Sequence, residues 1–468
     1  MLSRLEYNWP VLSLPFGVAT SRLVGGPPTS QSAFLAGFAL RAWARESKED
    51  SLRRPRVVIT GLGVVAPNGI GKDAFWQSLV DGKSAVDSIT VFDARSFPCQ
   101  VAAEVRNFNA REFIEPSKAK TMGRFAQFAV GAAKLAIRDA ALLGTPLIRT
   151  AVCLGTAVHG IGDIGVQAHN AFLAQGQRGV SVSVALEVGA HAATAHVQQA
   201  LEVRGPMMTI ASACCTGIDA ISWGADQIRA GAVDLALVGA VEAPISEFTF
   251  SLFVAGGFLS TWSGPPAKAS RPYDLQRSGL VLGEGGAVLV LEELQHAIDR
   301  GATIYAEVRG YASVAEGNSQ ELEKRYVDAL QDAILRAVDA GGLDPHELDY
   351  ICAHGNSAKF DDKSEAKAHR AALGKSAYRI PISSIKSMIG QPFAASGALQ
   401  AAATAMAVYT NIVPPTINYE VRDPDCDLDY VPNQARVVRV RHALFHSHSL
   451  GGRFPGSHSA MVFGRLTS

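Results

Sequence analysis

The chain has 468 residues, with 43 basic and 43 acidic side chains, 12 His, 6 Cys and 48% hydrophobic residues. A chain this long and this apolar buries a large core, which excludes disorder and a fibrous fold. Its charges sum to zero, leaving no global field to gather nucleic acid or an anionic membrane. No run reaches the ~18 apolar residues that span a bilayer; the best stretch, Ala33 to Ala44, is broken by Arg41.

Residues 1–44 contain one acid, Glu6, and three Arg, with little periodicity. The 13 residues from Ala44 to Arg56 then carry eight charges. This segment reads as an appended tail and linker over residues 1–54, with an organelle transit peptide as the alternative. Ordered sequence begins at Arg56, where Val57-Val58-Ile59-Thr60-Gly61 is a buried strand entering a glycine turn. Further strands are predicted at 151–156, 207–213, 235–242 and 286–292, with helices at 124–142 and 215–231. In the second helix Ile218, Ile221, Ala225 and Ile228 form one apolar stripe.

A second series starts near Tyr305: strand 305–314, helix 324–340, strand 348–354, helix 362–373, strand 380–385 and helix 396–410. Strands near 435–440, 443–448 and 458–464 close it. Continuous apolar strands alternating with helices predict an α/β architecture with sheets covered on both faces. The repeated order of elements, without a readable sequence repeat, suggests duplication into halves at 55–303 and 304–468.

Three segments carry candidate chemistry. In Ala211-Ser212-Ala213-Cys214-Cys215-Thr216-Gly217 a strand turns into a helix. A thiol at a helix N-terminus is expected to have a lowered pKa and act as a nucleophile; both cysteines also suit a small-residue core. In Ala353-His354-Gly355-Asn356-Ser357 a strand end presents His354, able to hydrogen-bond or polarise a carbonyl, or simply satisfied structurally. Lys386 follows the apolar strand in Ser383-Ser384-Ile385-Lys386-Ser387-Met388-Ile389-Gly390-Gln391, and alone would read as a solvated lysine. The glycine-rich run Gly279 to Gly286 leads into a strand and lacks the Lys-Ser/Thr of a phosphate loop. The other cysteines, Cys99, Cys153, Cys352 and Cys426, form no CxxC pair and read as reduced and buried, which fits a cytoplasmic compartment.

Taken in order, VVITGLGVVAPNG (57–69), SACCTG, RPYD, GLVLGEGGAVLVLEE, AHGNS with DDKSE, SSIKSMIG, VPPTIN (413–418) and a terminal LGG resemble the elongating β-ketoacyl-[acyl-carrier-protein] synthases over residues 55–468. The resemblance implies a thiolase-like duplicated α/β fold, layered α-β-α-β-α with mixed five-stranded sheets. It also implies a dimer, usually a homodimer with a heterodimer as alternative, and decarboxylative condensation with an acyl carrier protein as partner. No metal or organic cofactor is implied beyond the phosphopantetheine carried by that partner.

Carried over residue by residue, Cys214 is the acyl-accepting nucleophile, and its N–H joins one from the Ser449-Leu450-Gly451 turn in an oxyanion hole. His354 is the first catalytic histidine, supported by Lys386 through Glu365. Leu450 takes the place of a gating Phe, and Asn356 lies where a threonine usually holds the pantetheine arm. The departures are specific. Gln391 stands where the family has a second catalytic histidine, and Gln400 replaces a usual acid. The HGTST-like turn loses both threonines, and the closing turn reads Gly451-Gly452-Arg453-Phe454-Pro455. An amide can donate a hydrogen bond to an enolate but cannot usefully accept a proton near neutrality. Three readings follow: a Cys-His-Gln condensing enzyme of fatty-acid or polyketide synthesis, a non-condensing acyltransferase, or a weakly catalytic chain-length partner subunit. An acidic carrier protein requires a basic patch, for which Lys118, Lys120 and Arg124 are candidates, or else scattered surface charge.

Overall fold

The computed structural model describes residues 55–318, 320–449 and 456–466. The expectations for the tail at 1–54 and for Leu450 and Gly451 lie outside the described residues.

Two sets of five strands repeat one topology. The first comprises β1 (Val57–Ala66), β2 (Thr150–Gly155), β3 (Met207–Ile210), β4 (Leu235–Glu242) and β5 (Gly285–Glu293), in spatial order β1-β5-β4-β2-β3. The second comprises β6 (Ala306–Ala315), β7 (Tyr350–Cys352), β8 (Ile382–Ser383), β9 (His442–His448) and β10 (Ser457–Gly464), in order β6-β10-β9-β7-β8. In both, the first strand pairs antiparallel with the fifth and the fifth antiparallel with the fourth. The fourth then runs parallel to the second, and the second parallel to the third. Ten strands sharing one order and one set of directions make the duplication explicit. The sets also meet, through Val58↔Glu307 and Ile59↔Ala306, so the two sheets expected as separate form one continuous surface.

Strands β1, β4 and β5 are buried along nearly their whole length, which explains why they read as continuous apolar runs rather than alternating ones. Helices α1 (Arg124–Asp139), α2 (Thr216–Arg229), α3 (Leu322–Ala340), α4 (Lys359–Leu373) and α5 (Ala395–Thr410) cover them. Helix α5 is buried from Ala395 to Val408, as its small apolar composition on every face requires. It contacts β4 and β5 of one set and β9 of the other, and α2 crosses it. The crossing needs glycine: a Cβ on Gly217 would lie 2.3 Å from the Ala398 N, and one on Gly397 2.8 Å from the Ile218 N. We expect Gly217→Ala to cost about 1–3 kcal/mol by overpacking, read by urea unfolding. Because Gly217 lies three residues after Cys214, acylation should weaken with it.

The strand expected at 435–440 is not in the main sheet. Only Arg436–Val437 is extended, paired with Ile412–Val413 in a separate ribbon, and Val437 is 82% exposed. In that run only Val440 is buried and Val438 packs against the core, while Arg436, Val437 and Arg439 are exposed. Strand 380–385 likewise shortens to Ile382–Ser383, because the backbone turns helical at Lys386–Ile389. Among the described residues no helix is long and apolar enough to cross a membrane.

Candidate active site

The topology places third-strand junctions of the two sets near each other. After β3 the chain passes through Ala213, held at φ 52°, and enters α2 at Thr216. A left-handed alanine costs roughly 1–2 kcal/mol, so the turn carrying Cys214 is strained. Cys214 is 1% exposed, in an apolar cluster with Phe250, Leu280, Leu282 and Phe393. Cys215 is its anchor: the Sγ–H lies 3.3 Å from both the Ser447 and Ser457 carbonyl oxygens, which ties the turn to β9 and β10.

The expected lowering of the Cys214 pKa is not met. Burial pushes its thiol up, adjacent Cys215 adds to this, and Lys386 opposes them without prevailing. In the low-dielectric pocket the cost of an isolated thiolate exceeds what a helix terminus returns. At rest Cys214 is a thiol.

His354 follows β7 and is fully buried. Its backbone N–H and that of Gly355 each donate to the Glu365 carboxylate at 2.9 Å, so α4 clamps the strand end. Glu365 is therefore spent on the backbone and does not relay Lys386, contrary to the role the resemblance implied for it. Burial acts against its charge, yet the hydrogen bond and charge of His446, with its other donors, hold it at about 2. Lys386 instead donates directly to the His354 carbonyl oxygen at 2.6 Å, and its Nζ lies 3.4 Å from His354 Nδ1. Burial lowers Lys386 to about 8, which leaves it largely an ammonium at neutral pH. An ammonium only donates, so Nδ1, also 2.9 Å from Ser447 Oγ, is the acceptor and Nε2 carries the proton. Burial, then His448 and Lys386, hold His354 well below its ordinary pKa, in the neutral form. Its Nε2 is buried without a hydrogen-bond partner.

Gln391 comes next. Its N–H donates to the Val281 carbonyl at 2.7 Å and its carbonyl accepts from Gly283 N–H at 3.0 Å. Gly390, at φ 69°, permits this close pairing, since a Cβ there would lie 2.9 Å from two carbonyl oxygens. Ser396 Oγ donates to Gln391 Oε1 at 3.4 Å, which orients Nε2 toward Cys214 Sγ at 3.2 Å. The amide thus points its donor at the Cys214 sulfur. Gln400 is also donor-oriented: its Nε2 faces the carbonyls of Cys352, Ala353 and His446 at 3.1, 2.9 and 3.0 Å.

Two expected contacts with substrate are otherwise employed. Asn356 donates to Asp361 at 2.6 Å and accepts from Ala358 N–H at 2.9 Å, closing its own turn. The Ser449 N–H donates to the Ser457 carbonyl at 2.9 Å in the β9–β10 hairpin, so it does not serve an oxyanion hole. Arg124 pairs with Glu284 at 2.7 Å and with the Val105 carbonyl, which removes it from a docking patch; Lys118 and Lys120 are exposed.

Glu365, His369 and His446 bring three potential ligand atoms within 4.8 Å of one another. They fit a metal poorly. A metal-bound imidazole normally donates its other N–H, and Nδ1 of both histidines is buried without a partner. The pairs His446–Glu365 at 3.1 Å and His369–His446 at 2.9 Å read instead as a shared-proton network.

The roles of Ser447, Ser396 and His448 escaped the sequence reading. One signal was present: His446-Ser447-His448-Ser449, four polar residues in succession, ends an otherwise apolar strand.

The chain matches the family "Beta-ketoacyl synthase, N-terminal domain" over residues 54–297 and "Beta-ketoacyl synthase, C-terminal domain" over residues 305–420. It is 39% identical over 419 residues to the tetracenomycin polyketide synthase ketoacyl synthase alpha subunit of Streptomyces glaucescens, covering 88% of this chain and 97% of that one. It is 37% identical over 404 residues to 3-oxoacyl-[acyl-carrier-protein] synthase 2 of Synechocystis, covering 86% and 97%. Among solved structures, the ishigamide ketosynthase/chain length factor superposes with a TM-score of 0.81 at 32% identity, covering 88% of this chain and 100% of that one. A type II polyketide synthase acyl-carrier protein in complex with its ketosynthase gives 0.79 at 32%, with the same coverage.

Proposed function

Since the chain belongs to the beta-ketoacyl synthase family, we propose that it condenses an acyl group held on Cys214 with malonyl-acyl-carrier-protein, Gln391 standing in for a second histidine. It is an acyltransferase of the 3-oxoacyl-[acyl-carrier-protein] synthase type, in fatty-acid or polyketide biosynthesis. Cys214 attacks the acyl thioester carbonyl and releases the carrier's pantetheine thiol. The malonyl thioester then loses CO2, and the bonding pair moves into an enolate whose oxygen accepts from His354 Nε2–H and Gln391 Nε2–H. The enolate carbon attacks the acyl-Cys214 carbonyl, the C–S bond breaks with its pair on Sγ, a proton taken up from solvent restores the thiol, and the 3-oxoacyl product leaves on the carrier.

The observation that carries this reading is the Gln391 amide aimed at Cys214 from 3.2 Å, with Ser396 fixing its sense. Such placement leaves a hydrogen-bond donor where an imidazole is missing. Incubation with acyl- and malonyl-carrier protein, followed by intact mass and CO2 release, tests it. Acylation with ketoacyl product is expected. Acylation without CO2 loss would establish a non-condensing acyltransferase, and no acylation a chain-length partner subunit. Gln391→Ala should lower decarboxylation about 10- to 100-fold, the worth of one neutral donor to developing charge. Gln391→His should not exceed the native rate.

Phosphopantetheine arrives on the carrier protein and is not a resident cofactor of this chain. The partner surface for dimerisation is the open edge strand β3, where Met207 and Met208 are 50% and 43% exposed. Residues 55–303 and 304–468 would be the two halves of the catalytic unit, with 1–54 an extension.

A further inference from the structure

Transfer of an acyl group to a thiol requires something to take the thiol's proton. The burial of Cys214 makes this acute, since no preformed thiolate is available. Its neighbours in the site cannot serve. Gln391 presents an N–H, Lys386 is an ammonium donor, and His354 carries its proton on the nitrogen that remains unpaired. Glu242, also buried, is spent on Thr156 Oγ1 and the N–H groups of Ala157 and Val158 at 2.7–3.0 Å.

His448 is differently arranged. Its ring packs on His354 with centroids 4.0 Å apart, and Tyr326 closes the other side at 4.8 Å. Its Nδ1 lies 3.0 Å from the Ser449 carbonyl oxygen, which can only accept, so Nδ1 holds the proton and Nε2 is a bare lone pair. That Nε2 is buried without a hydrogen-bond partner, as are His354 Nε2 and Tyr326 OH in the same ring cluster. Buried polar atoms left unpaired together mark a place where a polar guest or a moving proton is received. Asp361 Oδ2 stands 3.8 Å from Nε2, where it would stabilise an imidazolium. The nucleophile turn is tied to the same strand end, because Cys215, next to Cys214, donates to the carbonyl of Ser447, next to His448.

We propose that His448 is a second catalytic imidazole, the general base that accepts the Cys214 proton during acylation. The Sγ–H proton passes to His448 Nε2 as Sγ bonds to the acyl carbonyl carbon. The carbonyl C–S bond to pantetheine breaks, and Nε2–H returns the proton to the departing sulfur. No proton is gained or lost overall. This deepens the condensation reading and rests on its acyl-enzyme step, but concerns that step alone.

The test measures single-turnover acylation of Cys214 from acyl-carrier protein by intact mass, and separately CO2 release from malonyl-carrier protein by unacylated enzyme. In H448F and H448Q acylation is expected to slow about 100-fold, within the usual contribution of a general base, while CO2 release stays within about threefold. Added imidazole should restore acylation to H448G but not to H448F. Acylation by H448Q at the native rate overturns the proposal, as does an equal loss of both reactions or a folded H448G that imidazole does not rescue. Failure of the condensation reading has a different signature: native enzyme that acylates without releasing CO2.

Discussion

His354→Asn is expected to lower malonyl decarboxylation by about 10²–10³-fold, equivalent to the roughly 2.7–4 kcal/mol of one donor in such a hole. His354 Nδ1 faces Lys386 Nζ at 3.4 Å and Ser447 Oγ at 2.9 Å, which leaves the proton on an unpartnered Nε2. Nothing in the protein uses that N–H in the resting state, so it pays no exchange of partners when an enolate oxygen forms beside it. An asparagine side chain is too short to bring its amide to the same place. Acylation of Cys214 should change far less, because His354 Nε2–H donates and does not take the thiol proton. The check is the same pair of readouts, CO2 release against acyl-enzyme mass. An equal fall in both would show that His354 acts on acylation as well, or that the ring stack with His448 has collapsed.

The parts of this site legible in the sequence are those set by local geometry. Cys214, His354 and Lys386 sit just beyond strand ends and Gln391 just after the glycine that ends the next short helix, where an apolar run breaks into glycine or polar residues, and such breaks can be read without a partner. The element order made the duplication readable too, although its strand pairing, and the contact joining β1 to β6, could not be seen in spacing. What escaped depends on residues far apart in the chain. The Glu365 clamp on His354 and Gly355 looks local at 10–11 residues, yet its direction depends on how α4 packs. Cys215 reaches Ser447 across 232 positions, and Gln391 reaches Cys214 across 177. The thiol's pKa direction failed for the same reason. A helix N-terminus is visible in sequence, whereas the apolar wall of Phe250, Leu280, Leu282 and Phe393 that outweighs it is assembled by the fold.

The native enzyme should lose decarboxylation as pH rises through about 8, and Lys386→Met should abolish that limb while lowering the rate at every pH by about 10²-fold. Burial depresses Lys386 from 10.5 to about 8, against the opposing charge of the ionised Glu365. Below that value the ammonium forces His354 to present Nε2–H; above it a neutral amine can itself accept, and the tautomer is no longer fixed. The sign for stability runs the other way from activity. A lysine whose pKa is lower folded than unfolded leaves the unfolded chain holding more protons between about 8 and 10.5, so this group's contribution to stability rises with pH across that window. At pH 7 the buried ammonium is therefore a net cost, offset in part by its 2.6 Å bond to the His354 carbonyl. Lys386→Met should unfold at no lower temperature than the native protein at pH 7 while condensing poorly. A pH–rate profile beside a melting curve separates these outcomes: a variant both less stable and less active would mean that Lys386 holds the fold rather than the His354 proton.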